Sequence, residues 1–377
     1  MCPLSAMQAS PAGLRVNKYA DHLPLYRQSQ IFERDGLDLD RSTLADWVGK
    51  STALLEPLAD AIRCPAGDAC IAERGRHVLA GQAIFADDTP VAMLASRCPA
   101  GDCKQSPRGG TGKTQTARLW AYGRDERPWG SAIPPASWYR FSSDRKGEHP
   151  KDHLAKYSGW MHAPSHGLQA NHCRATDGYA GFEDLYRSGD IREVACMAHV
   201  RRKFVDVHKA QGSAIADEAI RRIAELYAVE KAVRGLPPDK RVEIRQAEAR
   251  PVFQSLEIWM NIQLHDISGK SPLASAIRYA LTRMVRMRPY LDHGIPEPDN
   301  NTAERAMRSV ALGHKNYLFV GSQTGRKSAA IAYTLIETAK LNGVDPQAWL
   351  ADTLAASQTA KSTGSTICCH GTHAKGG

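Results

Sequence analysis

Gln82-Ala-Ile-Phe-Ala-Asp-Asp-Thr-Pro90 is an apolar run that stops at two adjacent carboxylates and a proline, the pattern of a buried strand closed by a turn. Two more short runs rich in aromatic residues follow, Ala117-Arg-Leu-Trp-Ala-Tyr122 and Ser137-Trp-Tyr-Arg-Phe141. Both are bounded by Gly, Pro or Asp, so three successive strands are expected. Beyond them the period changes. The pattern predicts a helical stretch around His149 to Tyr157, a strand running toward Asp177, a short helix from Phe182 to Arg187 and a strand from Arg192 to Ala198. Strands first, then strands alternating with helices, indicate an α/β domain on a mixed sheet.

On the N-terminal side, apolar residues recur at helical spacing from Leu23 to Ile62 and break at Asp35-Gly36, which predicts two helices joined by a turn. Asp40 to Ser42 supplies N-cap candidates for the second. It reads either as a packing helix or as the reader of a helix-turn-helix. On the C-terminal side, residues from Val200 to Met287 are almost wholly helical in pattern and rich in Arg, Glu and Ala. Pro296-Glu-Pro-Asp299 then makes a turn, and a last helix is expected from about Thr302. The resulting division is an N-terminal helical segment (1–75), an α/β region (76–205), a helical stretch (206–295), a further part with the last helix (296–350) and a tail of disordered composition (351–377).

A net charge of +9 and an isoelectric point near 9.1 suit a polyanionic partner, because Lys and Arg release condensed counterions from nucleic acid. The same balance also describes a merely basic globular protein. No apolar run has the length of about 18 residues that a membrane span needs, and no signal pattern opens the chain. A cytoplasmic protein with reduced thiols is expected, since nine cysteines in a chain of this length are no disulfide scaffold.

Three carboxylates attract notice, each with an ordinary reading beside the chemical one. Asp87 stands at a strand terminus, or forms a turn before Pro90. Asp177-Gly178 is a strong turn signal. Glu304, three residues after Asn301, resembles part of a capping box. Together, acidic residues from separated strands and a late helix are what Mg²⁺ needs, because it takes oxygen ligands and is held by a few carboxylates plus phosphate oxygens. Cys196 and His199 have the C-x-x-H spacing of half a zinc site, with no second pair at suitable spacing. His199 reads as a proton-transfer or orienting group, or as a helix-start histidine. Arg201, Arg202 and Lys203 form a basic cluster beside it, and Arg305, Arg308, Lys315 and Tyr317 interleave basic and aromatic residues after Glu304. Each set suits either phosphate contact or a solvated helix face.

Two other patterns fail as sites. Thr111-Gly-Lys-Thr114 lacks the glycine of a phosphate-binding loop where Pro107 stands, and it opens a strand instead of a helix. Arg-Cys-Pro-Ala-Gly-Asp occurs at 63–68 and again at 97–102; with Cys70 and Cys103 it gives two pairs, of which the first is too widely spaced for zinc. A repeated loop without chemistry is the expectation there.

Eight ordered blocks carry a family resemblance: Lys18-Tyr-Ala-Asp-His-Leu-Pro-Leu-Tyr-Arg-Gln-Ser29, Ser42-Thr-Leu-Ala-Asp-Trp-Val48, Ala86-Asp-Asp-Thr-Pro90, Asp177-Gly-Tyr-Ala-Gly181, Cys196-Met-Ala-His-Val-Arg-Arg-Lys-Phe204, Asp299-Asn-Asn-Thr-Ala-Glu-Arg305, Lys315-Asn-Tyr-Leu-Phe319 and Ala339-Lys-Leu-Asn-Gly-Val-Asp-Pro346. They resemble the transposases of the insertion sequence 66 family. The resemblance implies a ribonuclease-H-like fold and a DDE site formed by Asp87, Asp177 and Glu304 holding two Mg²⁺ or Mn²⁺ ions. It implies cleavage and strand transfer on double-stranded DNA, at transposon ends and target, by a homo-oligomer associated with the nucleoid. It also implies that the helical stretch 206–295 is an insertion between the two parts of a catalytic core, 76–205 and 296–350, and that full-length members carry a further N-terminal part with helices, a cysteine-rich module and DNA-end recognition. The stretch Met161 to Thr176 and the repeated loops are longer than the family pattern, and the residues after Leu354 depart from it. Two rival readings are a nuclease of the same fold and a catalytically impaired DNA-binding remnant.

Overall fold

Strand β1 (Ala83–Leu94) is the axis of the sheet. Along one edge it pairs antiparallel with β2 (Thr114–Arg124), from Phe85 opposite Gly123 to Leu94 opposite Thr114. Along the other it pairs parallel with the short β4 (Gly159–His162), and this pairing ends at Phe85 opposite His162. Adding β3 (Ala136–Ser142), antiparallel to β2, and β5 (Ile191–Val194), parallel to β4, gives the order β3-β2-β1-β4-β5. The computed structural model describes residues 10–63, 77–94, 114–163, 182–316 and 323–363. The mixed sheet with flanking helices is the ribonuclease-H-like arrangement that the sequence predicts.

Period-two alternation sorts the strand residues onto two cores. Val91 of β1 and Ala117, Leu119 and Ala121 of β2 face one layer, with helices α1 (Pro11–Tyr19), α3 (Arg41–Arg63), α12 (Asn301–Asn316), α13 (Gln323–Leu341) and α14 (Pro346–Thr363). Ile84 and Ala86 of β1 and Trp120 and Tyr122 of β2 face the other, with Leu154, Phe182 and Leu185. These come from the segments of α4 (Glu148–His153) and α5 (Glu183–Tyr186). A third core is all-helical. It joins α6 (Met197–Gln211), α7 (Ala214–Val233), α9 (Arg250–Asp266), α10 (Pro272–Met287) and α11 (Pro289–Asp292) through Phe204, Ile223, Phe253 and Ile277.

Several elements differ from their sequence expectation. The strand does not stop at Asp87, because β2 goes on pairing to Leu94; what ends there is β4. The strand expected to run toward Asp177 ends at His162, and the next runs from Ile191 to Val194, with helix beginning at Met197. Helix α6 therefore crosses the boundary placed at 205/206. Among the described residues the N-terminal segment has three helices, since α1 precedes α2 (Leu25–Arg34) and α3. Asp40 does cap α3, its carboxylate accepting from the Ser42 and Thr43 amides at 2.6 and 3.0 Å. That helix buries Leu44, Val48, Leu55 and Ala59 in the first core. The wholly buried Arg15 donates to its Val48 carbonyl at 2.8 Å and to Ser51 Oγ at 2.9 Å, so α3 packs on the core. The tail placed at 351–377 is helical as far as Thr363 because Leu350 and Leu354, one turn apart, are both buried. The repeated Cys-Pro-Ala-Gly-Asp loops lie outside the described residues.

A buried ion cluster ties the helical insertion to the segment that leads into α12. Arg245, in the π-helical turn Arg245–Ala249, donates to both oxygens of Glu230 at 2.6 and 2.8 Å and to the Tyr290 and His293 carbonyls at 2.8 Å. Arg241, in α8 (Pro238–Ile244), donates to Gly294 O at 2.8 Å, to Glu230 at 3.2 Å and to Glu297. Two guanidiniums thus meet two carboxylates away from solvent, the condition under which buried charge is tolerable.

Candidate active site

Asp87 and Asp88 have opposite surroundings although they are adjacent. Asp88 has the parity of Ile84 and Ala86. Arg145 holds it bidentately, at 3.0 Å to each oxygen, and Arg118 approaches at 3.2 Å. Its side chain is only 2% exposed, so both lone-pair sets are spent on structural ion pairs. Asp87 has the parity of Val91 and faces the layer containing α12. Its carboxylate accepts from the Asp88 amide, at 2.8 Å. Burial first, and then the nearby charges of Asp88 and Glu304, push its carboxyl up to about 7.

Glu304 lies in the first turn of α12. Ala303, Ala306, Met307 and Val310 face the sheet, and the Tyr139 hydroxyl donates to Ala306 O at 2.8 Å, fixing the helix over β1 to β3. Those contacts leave Glu304 half-buried at the edge of the layer, with Arg305 and Arg308 exposed. Its Oε1 is buried and accepts no hydrogen bond. His199 Nε2 stands 3.7 Å from Oε1, and Arg202 stands 3.8 Å from Oε2.

Asn300 couples the two carboxylates. It is fully buried, and its side-chain amide donates to Ala86 O at 2.9 Å, one residue before Asp87. Its own N–H reaches Cys196 Sγ at 3.3 Å, while the Met197 N–H takes Pro298 O at 2.8 Å. The start of α6, the start of α12 and the middle of β1 therefore converge. No capping box forms, because Asn301 is already helical and bonds Asp299 instead. Burial raises the carboxyl of Asp299 as well.

Cys196, His199 and Glu304 each bring a ligand atom within 4.8 Å of the others. Burial pushes the Cys196 thiol up to about 12, against the pull of the Asn300 and His199 amides. Among the basic residues singled out from sequence, Arg201, Arg202 and Lys203 are exposed on α6, and Arg305, Arg308 and Lys315 on α12. Lys203 also rests over the Tyr279 ring, and Arg305 lies 3.9 Å from Asp125. Asp177 and Tyr317 lie outside the described residues. Sequence reasoning missed Asn300, Arg118 and Arg145. For Asn300 the only signal was its place in Asp299-Asn-Asn301, which reads equally well as a cap.

The donor set fits a hard divalent cation. Glu304 Oε1, buried without a hydrogen bond, and the Asp87 carboxyl, which the charge of Glu304 helps to push up, are oxygen donors of the kind such an ion takes.

The sequence matches two family models: the IS66 family transposase over residues 5–328 and the IS66 C-terminal element over residues 334–364. The second match carries the family likeness past Leu354 to residue 364, correcting the expected departure for that stretch. Three uncharacterised proteins of Sinorhizobium fredii (strain NBRC 101917 / NGR234) are similar: y4qI is 39% identical over 344 residues, y4hP 36% over 360 and y4jD 37% over 355. Each alignment covers 91 to 93% of this chain and 58 to 62% of the relative. The chain thus spans about six tenths of the length of these relatives. No solved structure matches it. Among the described residues, no helix is long and apolar enough to cross a membrane.

Proposed function

The chain belongs to the IS66 transposase family, and from that premise we propose that it cleaves and joins DNA phosphodiesters with Asp87, Asp177 and Glu304 as metal ligands. The observation that carries this reading is the Asn300 bridge, which holds Glu304's helix against the carbonyl next to Asp87. Asp88, one residue away, is consumed by two arginines and takes no part. Two Mg²⁺ or Mn²⁺ ions at the three carboxylates would supply charge neutralisation and activation of the attacking water or 3′-hydroxyl.

The protein's own share is positioning. Asn300 fixes the angle at which Glu304 meets β1. His199, beside Glu304, accepts or returns a proton at its Nε2. Arg201, Arg202 and Lys203 on one helix and Arg305, Arg308 and Lys315 on the other hold DNA phosphates beside Glu304; Tyr317 is given the same role. Such contacts fix register without reading bases. The working form is a homo-oligomer on DNA in the bacterial cytoplasm. The test is cleavage and joining of a labelled duplex carrying element ends, with Mg²⁺ present or chelated. Asp87→Asn and Glu304→Gln should each abolish both steps, and full activity in either variant refutes the assignment.

A further inference from the structure

We infer that Cys196, His199 and Glu304 form a second kind of metal site, one that takes a borderline cation such as Zn²⁺ and withdraws Glu304 from the hard ions of catalysis. Sulfur, imidazole nitrogen and carboxylate oxygen are a poor set for Mg²⁺ and a good one for Zn²⁺. Three protein ligands leave a fourth position to water, and tetrahedral Zn²⁺ accepts that number.

The geometry is close to what the ion needs. Zinc bonds of roughly 2.0 to 2.3 Å put tetrahedral ligand atoms about 3.5 Å apart. His199 Nε2 and Glu304 Oε1 already stand at 3.7 Å, and all three ligand atoms lie within 4.8 Å of one another. The i, i+3 spacing places Cys196 and His199 over the same opening turn of α6, and the Asn300 clamp brings in the third ligand from α12.

Two further observations point to a ligand. The Asn300 amide donates to the sulfur at 3.3 Å; a donor of this kind stabilises a metal-bound thiolate more than a neutral thiol. Glu304 Oε1, on the face toward His199, is buried with no hydrogen bond to satisfy it. On binding, the Cys196 S–H bond breaks, an S–Zn bond forms and the proton leaves to solvent.

The site itself is independent of the proposed function; only its inhibitory effect rests on that reading. Titration of the reduced 377-residue chain with Co²⁺, followed by visible and near-ultraviolet absorption, tests the site. Sulfur-to-cobalt charge transfer from one equivalent should appear and be displaced by Zn²⁺. Because the chain has nine cysteines, the signal is read as the difference between wild type and variant. Cys196→Ser and His199→Gln should each lose one equivalent, and Asp87→Asn should keep it. His199 is partly exposed, so its variant decides the matter if Cys196→Ser misfolds by circular dichroism. Titration curves identical to wild type in the folded variants overturn the site. For the regulatory half, one equivalent of Zn²⁺ should abolish Mg²⁺-dependent cleavage by the wild type, and a chelator followed by Mg²⁺ should restore it. Zinc that binds without slowing cleavage overturns that half alone, and cleavage that is absent without zinc refutes the proposed function while the cobalt result stands.

Discussion

The side-chain amide of Asn300 donates to the main-chain carbonyl of Ala86 at 2.9 Å. A helix N-terminus is thereby tied to the centre of a strand, and the carboxylates of Glu304 and Asp87 are each carried a few residues from the tie. Asn300→Ala should lower metal-dependent cleavage about 10- to 100-fold, the usual cost of losing an outer-shell partner. The apparent Mg²⁺ requirement should rise in parallel. A variant that loses stability but needs no more Mg²⁺ would make Asn300 merely structural.

Asp87→Asn and Asp88→Asn should separate activity from stability. Asp88→Asn removes a buried acceptor from Arg145 and Arg118 and should cost about 2 kcal/mol in urea unfolding. Asp87→Asn relieves a crowded carboxylate and should leave stability unchanged or raised while cleavage disappears. The opposite pattern would exchange the two roles.

Binding to duplex DNA should depend steeply on salt. Arg202→Ala and Arg308→Ala, both on exposed stretches flanking Glu304, should each lower the slope of log affinity against log salt by about one unit. The loss should be similar for all sequences. Slopes equal to wild type in both variants would mean that these cations only solvate their helices.

His162 should make the fold acid-sensitive. Burial lowers its pKa from the ordinary 6.5 to about 4, and the Glu297 N–H donates to its Nε2 at 2.9 Å, which only the unprotonated nitrogen can accept. Between those two values the unfolded chain binds a proton that the folded chain refuses. This contribution to stability is therefore complete above about pH 6.5 and falls away as pH drops toward 4, by on the order of 3 kcal/mol. Urea unfolding of His162→Gln across this range should show a flatter profile than wild type.

Arg245→Met should destabilise the protein by about 3–5 kcal/mol, because Glu230 and Glu297 then share one buried guanidinium. Denaturant unfolding checks the magnitude, and a neutral result would mean that water enters the cluster.

The first three strands were legible because Ile84, Trp120 and Trp138 stand in runs long enough to show their period, and the same period separates Asp87 from Asp88. Strands β4 and β5 have four residues each, too few to fix their ends. The helix through Leu350 and Leu354 was hidden by the Ser, Thr and Ala around those residues, which read as unstructured. At the site, the residue types announced oxygen and C-x-x-H chemistry. Their convergence did not show, because Asn300 and Cys196 meet across 104 residues of sequence and an Asn before a helix looks like a cap.

The ion cluster around Arg241 and Arg245 also says where this chain does not bend. Within residues 290–300, guanidiniums bind the Tyr290, His293 and Gly294 carbonyls, His162 receives the Glu297 N–H, Met197 takes the Pro298 carbonyl and Cys196 receives the Asn300 N–H. A hinge needs backbone torsions that can change without breaking such bonds. Helical insertion and Glu304 helix therefore travel as one rigid body, and any closure on DNA has to pivot elsewhere in the chain.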